Sequence, residues 1–136
     1  GRPNRRELME WVDRGAYDIV QHGCDDAGMT EAWQMARMAH TRGVRFCAHN
    51  WQGGLVTIAN AHLMAACPNR FLLESNMTAN PLKESLFKEP LRVVDGHLDL
   101  PEGPGLGVEL RDGLEEEFAF QPGPWNIPDE GMPLAT

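Results

Sequence analysis

Three short apolar runs open near Tyr17, Val44 and Phe71, a spacing of roughly 27 residues, and helical patterns fill the intervals. This rhythm constrains the fold more than any other feature of the chain. One strand-plus-helix unit occupies about that length. Alternation at that period demands parallel strands joined by right-handed crossovers. The runs are Tyr17-Asp18-Ile19-Val20-Gln21, then Val44-Arg45-Phe46-Cys47-Ala48 leading into His49, then Arg70-Phe71-Leu72-Leu73-Glu74. Three such strands do not close a barrel, and the chain's 136 residues fall short of the about 250 that an α/β barrel needs. An isolated three-stranded sheet leaves two edges unpaired.

The helical intervals carry their own signals. Arg5 to Arg14 places Leu8, Trp11 and Val12 on one face, and Gly15 ends it. After a polar loop from His22 to Met29, Thr30 is the expected N-cap of a helix with Glu31 in its first turn. Ala32, Met35, Ala36 and Ala39 form its buried stripe and Gly43 its stop. The helix after His49 shows Leu55, Ile58, Ala59, His62, Ala65 and Ala66 on one face, and Pro68-Asn69 closes it. His62 reads as a satisfied core histidine.

From Asn80 the rhythm changes. Leu82, Leu86 and Phe87 suggest a short helix before Pro90, and Val93 to Leu100 reads as a hairpin turning at Asp95-Gly96. Pro101 to Leu110 is a glycine-rich loop running into another strand. It is no phosphate loop, because no lysine follows and no helix opens after it. The division expected is residues 1–89 for the strand–helix units, 90–113 for a returning segment, and 114–136 for an acidic, Pro/Gly-rich tail that is extended or partly disordered.

A net charge of −8 argues against nucleic-acid or anionic-membrane partners. No apolar run reaches the length of a membrane span. Three cysteines without CxxC spacing indicate neither a disulfide framework nor a zinc site, so reduced, cytoplasmic thiols are expected.

Open α/β sheets and barrels present ligands to the carboxyl ends of their strands, which singles out His49 as candidate chemistry, with Asn50 and Trp51 beside it; Glu74 ends the third strand, where a carboxylate is ordinarily only solvated. His22 stands at the end of the preceding strand. Asp25 and Asp26 resemble a metal pair, yet adjacent loop acids more often cap a helix.

In order along the chain, Asp18-Ile-Val-Gln21, Ala27-Gly-Met-Thr-Glu31, Ala48-His-Asn50, Ala65-Ala-Cys-Pro-Asn69, Glu74, Asp95-Gly96 and Pro104-Gly-Leu-Gly-Val-Glu109 resemble the C-terminal part of the enolase superfamily, mandelate racemase/muconate lactonizing enzyme type. The resemblance covers roughly residues 5–112. It implies the last three strands of a modified (β/α)7β TIM-type barrel and a β-containing segment returning to a capping domain. It further implies Mg²⁺-assisted removal of the proton α to a carboxylate. The metal ligands and a lysine base would lie on strands outside this chain, so no metal ligand is expected here. His49 maps to the general acid/base histidine and Glu74 to a substrate-orienting carboxylate; Asn50 and Trp51 would wall the pocket, and His22 would contact substrate. One position departs from the pattern. The aspartate that partners the histidine in the family is replaced, His22-Gly23 standing where Pro-Asp is usual, which leaves Asp25 or Asp26 to reach in from the loop.

The implied activity is dehydration of an acid sugar (aldonate or aldarate) by a parent enzyme that forms homo-oligomers, the chain alone being inactive. The alternatives are a racemase or epimerase of the same superfamily, and a non-catalytic partial barrel that folds only with a partner chain.

Overall fold

The computed structural model describes residues 3–120 and 122. Helix α1 (Arg5–Asp13) begins at a capping box in which Asn4 Oδ1 accepts from the Glu7 N–H and the Glu7 carboxylate accepts from the Asn4 N–H. Its buried residues are Leu8, Met9 and Val12, whereas Trp11 is half-exposed with the Arg14 guanidinium 5.5 Å from its ring. The indole therefore packs on a cation at the surface and leaves the core position to Met9.

Strands β1 (Ile19–Gln21), β2 (Arg45–Ala48) and β3 (Arg70–Leu73) form one parallel sheet in chain order. Helices α3 (Met29–His40) and α4 (Gly54–Ala66) make the two crossovers. The α3 stripe is as expected: Ala32, Met35, Ala36 and Ala39 are all fully buried. Its three alanines let the helix lie close against the sheet, where Val20, Phe46 and Ala48 complete the main core together with Leu63, Met64 and Cys67. The strands alternate, so Arg45 and Cys47 sit on the opposite face, and Arg45 stacks its guanidinium 4.1 Å from the Phe71 ring there. Among the described residues, β1 and β3 each keep one edge without a strand partner.

Four local expectations are corrected. The loop after β1 contains a short helix, α2 (Cys24–Ala27), and α3 starts directly behind it with Gly28 (φ 83°) at the N-cap in place of Thr30. α4 buries Ile58, Asn60, Ala61, Leu63 and Met64, while Leu55, Ala65 and Ala66 are exposed. That helix is apolar around most of its circumference, so periodicity alone does not choose its inner face. The glycine-rich segment ends in a single antiparallel bridge, Phe87 with Leu110, not a strand. The acidic stretch opens with one helical turn, α6 (Leu114–Glu117), following left-handed Gly113. Beyond Phe120 the Pro/Gly-rich tail, Pro122 apart, lies outside the described residues.

The stretch from Asn80 to Leu98 matches its sequence more closely. Asn80 caps α5 (Pro81–Ser85) through its side chain. The two-residue strands β4 (Val93–Val94) and β5 (His97–Leu98) pair across Asp95-Gly96, both at positive φ, as a tight hairpin turn of that composition requires. Leu98, Leu100, Leu106 and Val108 pack with Phe87 on Ile58 and Ala61, a second small core on the far side of α4. His62 is satisfied there by the Leu106 carbonyl at 3.1 Å.

Candidate active site

The register of the sheet decides which residues meet. Val20 lies level with Phe46 and Gln21 with Cys47, and the His22 N–H extends the ladder to the Cys47 carbonyl. Two residues further on, Gly23 is therefore level with His49. His22 falls on the helix side of the pleat, as Val20 does, and is only 2 % exposed.

At Gly23 the chain turns into α2, and the turn is crowded. A Cβ at position 23 would stand 2.5 Å from Asp25 Oδ1 and well inside contact distance of the His49 carbonyl oxygen. The space that a side chain at 23 would fill is thus taken by the Asp25 carboxylate. Asp25 Oδ2 lies 3.9 Å from His49 Nδ1. The two side chains are 13 % and 18 % exposed, the Asp25 backbone accounting for the openness of the residue as a whole. Asp26 is engaged elsewhere as well: its Oδ2 accepts from the Gly23 N–H at 3.1 Å, capping α2, and stands 3.6 Å from His22 Nδ1, while the residue still brings a carboxylate oxygen within 4.8 Å of a His49 ring nitrogen. Asp25 is the acid whose ion-pair contact is with His49 Nδ1.

Asn60, fully buried on α4, locks this corner. Its Nδ2 donates to the His49 carbonyl at 2.7 Å and its Oδ1 accepts from the Cys24 N–H at 2.9 Å. Sequence reasoning missed it, though a single asparagine inside an otherwise apolar helix face was the available signal, since buried amides are almost always spent on specific partners.

A second cluster joins the ends of β2 and β3. The ladder slips between them, Phe46 pairing with Arg70 but Ala48 with Leu73, so β3 holds one extra residue and its end is re-aimed. Glu74 then accepts the Asn50 N–H at Oε2 (2.7 Å) and the Trp51 indole N–H at Oε1 (3.0 Å). Asn50 returns a bond from Nδ2 to the Glu74 carbonyl at 2.8 Å and pairs with Thr57. Asn50 is 1 % exposed, so its side chain lies beneath the surface, whereas Trp51 is 60 % exposed.

None of the three thiols is activated. Burial, reinforced by the Asp25 charge, pushes Cys24 up to about 11. Burial and then the Glu74 charge raise Cys47, and burial raises Cys67. A nucleophilic cysteine needs the opposite environment.

Gly23 has a direct test. Gly23→Ala forces apart the His49 carbonyl and the Asp25 carboxylate, an overpacking expected to lower stability by about 1–3 kcal/mol. Urea unfolding of the variant against the parent measures it, and an unchanged midpoint would show that the corner yields freely.

Parallel strands whose carboxyl ends gather a histidine and acids are the place where α/β proteins, open sheets and barrels alike, present groups to a ligand. The chain belongs to the enolase C-terminal domain-like family, whose model matches residues 3–114. It is 36 % identical over 115 residues to the arabinonate dehydratase of Saccharolobus solfataricus, covering 84 % of this chain and 31 % of that protein. Its fold is that of a mandelate racemase/muconate lactonizing enzyme from Jannaschia sp. CCS1, with a TM-score of 0.78 and 28 % identity over 90 % of this chain and 31 % of the other. A protein of Burkholderia xenovorans strain LB400 described as an L-alanine-DL-glutamate epimerase, solved with magnesium and fumarate, superposes with a TM-score of 0.73 at 26 % identity, covering 80 % of this chain and 27 % of that one. Further relatives are acid-sugar dehydratases and cycloisomerases. The chain spans about a third of the length of the curated relatives it matches.

Magnesium fits poorly among the described residues. Asp25, Asp26 and His49 bring ligand atoms within 4.8 Å of one another. However, Mg²⁺ demands oxygen ligands in near-ideal octahedral geometry. Here one donor is a ring nitrogen and Asp26 is committed to capping α2. No helix among the described residues is long and apolar enough to cross a membrane.

Proposed function

We propose that these residues are the C-terminal part of a barrel enzyme that dehydrates an acid sugar, an aldonate or aldarate, by removing the proton α to its carboxylate and expelling the β-hydroxyl. The observation that carries this reading is His49 at the carboxyl end of β2 with the Asp25 carboxylate 3.9 Å from Nδ1. An imidazole that exchanges protons needs a partner on its other nitrogen to fix its tautomer and orientation. Asp25 supplies it from α2 and Gly23 makes the room.

In this scheme the α-proton passes to a base outside this chain, the lysine that the resemblance implies, while the imidazolium of His49 gives its proton to the β-hydroxyl, the C–O bond breaks, and water leaves. The enol that remains tautomerises to the 2-keto-3-deoxy acid. Glu74, its two oxygens already oriented by Asn50 and Trp51, accepts a substrate hydroxyl on a remaining lone pair. Mg²⁺, which in this family stabilises charge on the substrate carboxylate, would be held by residues outside this chain. The name of the arabinonate dehydratase relative supports the substrate class.

The test is the full-length protein in D2O with a panel of aldonates and aldarates, followed by NMR for α-proton exchange and for keto-deoxy product. Both are expected for at least one member; neither with any would sink the proposal. Asp25→Asn is expected to lower kcat by about 10- to 100-fold with KM nearly unchanged, the usual range for an orienting carboxylate. Asp25→Glu should recover part of the loss. An equal fall in folded protein and in activity, without a kcat-specific effect, would reduce Asp25 to a structural residue.

The non-catalytic alternative rests on the open sheet edges and on exposed Phe71 and Leu72 of β3. Light scattering on the 136-residue chain tests it, because a well-folded monomer contradicts a need for a partner.

A further inference from the structure

The geometry points to Trp51 as a stacking platform for the carbon chain of the substrate, with Glu74 and Asn76 as the groups that hold its ring in place. This rests on the proposed site and adds the feature that selects the ligand. A tryptophan 60 % exposed on a loop ordinarily has freedom to swing. Here three bonds fix it. The indole N–H is held by Glu74 Oε1 at 3.0 Å, the Trp51 carbonyl accepts from Asn76 Nδ2 at 3.1 Å, and the N–H of the preceding Asn50 is held by Glu74 Oε2 at 2.7 Å. Asn50 in turn is buried and tied to Glu74 and Thr57.

An aromatic side chain exposed yet anchored by its polar edge is a preorganised apolar face, and preorganisation is what makes a contact contribute to affinity. The face belongs to the residue two places after His49, at the same end of the sheet. Every other side chain at that end singled out above is polar: the His49 imidazole and the carboxylates of Asp25 and Glu74. A ligand matched to this mixture has hydroxyls and a carboxylate for the polar groups and a continuous C–H edge for the indole. An extended polyhydroxy acid has both; a short hydroxy acid lacks the edge.

The test uses the full-length enzyme with arabinonate, xylonate and gluconate. Trp51→Ala is expected to raise KM about 3- to 10-fold, the range of one aromatic contact, with kcat changed less. Trp51→Phe keeps a ring but loses the Glu74 anchor and should fall between. Asn76→Ala, which removes the bond to the Trp51 carbonyl and the acceptor of the Thr78 N–H, should raise KM less than Trp51→Ala does. Trp51→Ala with unchanged KM overturns the inference. So does a large loss of thermal stability without a KM effect, which would mean that the ring packs against the rest of the protein. Fluorescence separates this inference from the reading it rests on: binding of an aldonate should quench tryptophan emission in the parent, and the response should vanish in Trp51→Ala. Quenching without turnover keeps the platform and removes the dehydratase; turnover without any Trp51-dependent response does the reverse.

Discussion

His49→Gln in the full-length protein is expected to lower turnover in the proposed acid-sugar dehydration by about 10²- to 10⁴-fold, the usual contribution of a positioned general acid or base. Glutamine is close in size and keeps a polar group facing Asp25, so the corner between α2 and β2 should stay packed; what disappears is a group able to give or take a proton at the substrate. KM is expected to stay within a few fold. The isotope experiment divides the step further. Should His49 act only on the departing β-hydroxyl, α-proton exchange in D2O survives in the variant while product formation stops. Loss of both would give His49 the α-proton as well. Unchanged turnover would remove it from the mechanism.

Periodicity was legible in α3, and less so in α1, where Met9 and not Trp11 joins Leu8 and Val12 in the core. The α3 stripe of Ala32, Met35, Ala36 and Ala39 keeps the i, i+3, i+4, i+7 spacing, and all four are buried, with Trp33 and Met38 packed partly buried beside them. Asp95-Gly96 was equally clear, because few dipeptides tolerate two successive positive φ values. α4 failed the same treatment for a physical reason. Apolar on nearly every side, it touches both cores, and its orientation is settled by Asn60 reaching two backbone groups far away in sequence.

The candidate site divides along the same line. A histidine and a glutamate at strand ends could be read from the chain alone, since strand ends are local features. Which acid faces His49 could not. That depends on α2, a single turn with no buried residue and hence no periodic signal, and on the register that sets Gly23 beside His49. The glycine that read as a gap in the site is the position where the Asp25 carboxylate enters it.

Asn60 is where these threads meet, and Asn60→Ala is expected to be the most destabilising single change at this corner. It leaves the His49 carbonyl and the Cys24 N–H without their partner, each at about 1–3 kcal/mol when kept from water. Urea unfolding should show a lower midpoint with an unchanged slope, and hydrogen exchange at the Cys24 amide should accelerate. Asn60→Asp separates the two bonds: a carboxylate still accepts from Cys24 but presents an oxygen to the His49 carbonyl, so it should lose stability and position His49 badly at once. Activity per folded molecule is the decisive reading. A shift of about 1 Å in a catalytic group can lower the rate by about 10²-fold. Variants that fold yet turn over slowly would therefore make Asn60 a positioning residue that acts through the backbone of His49. Variants with lowered stability and full specific activity would confine it to holding α2 on α4.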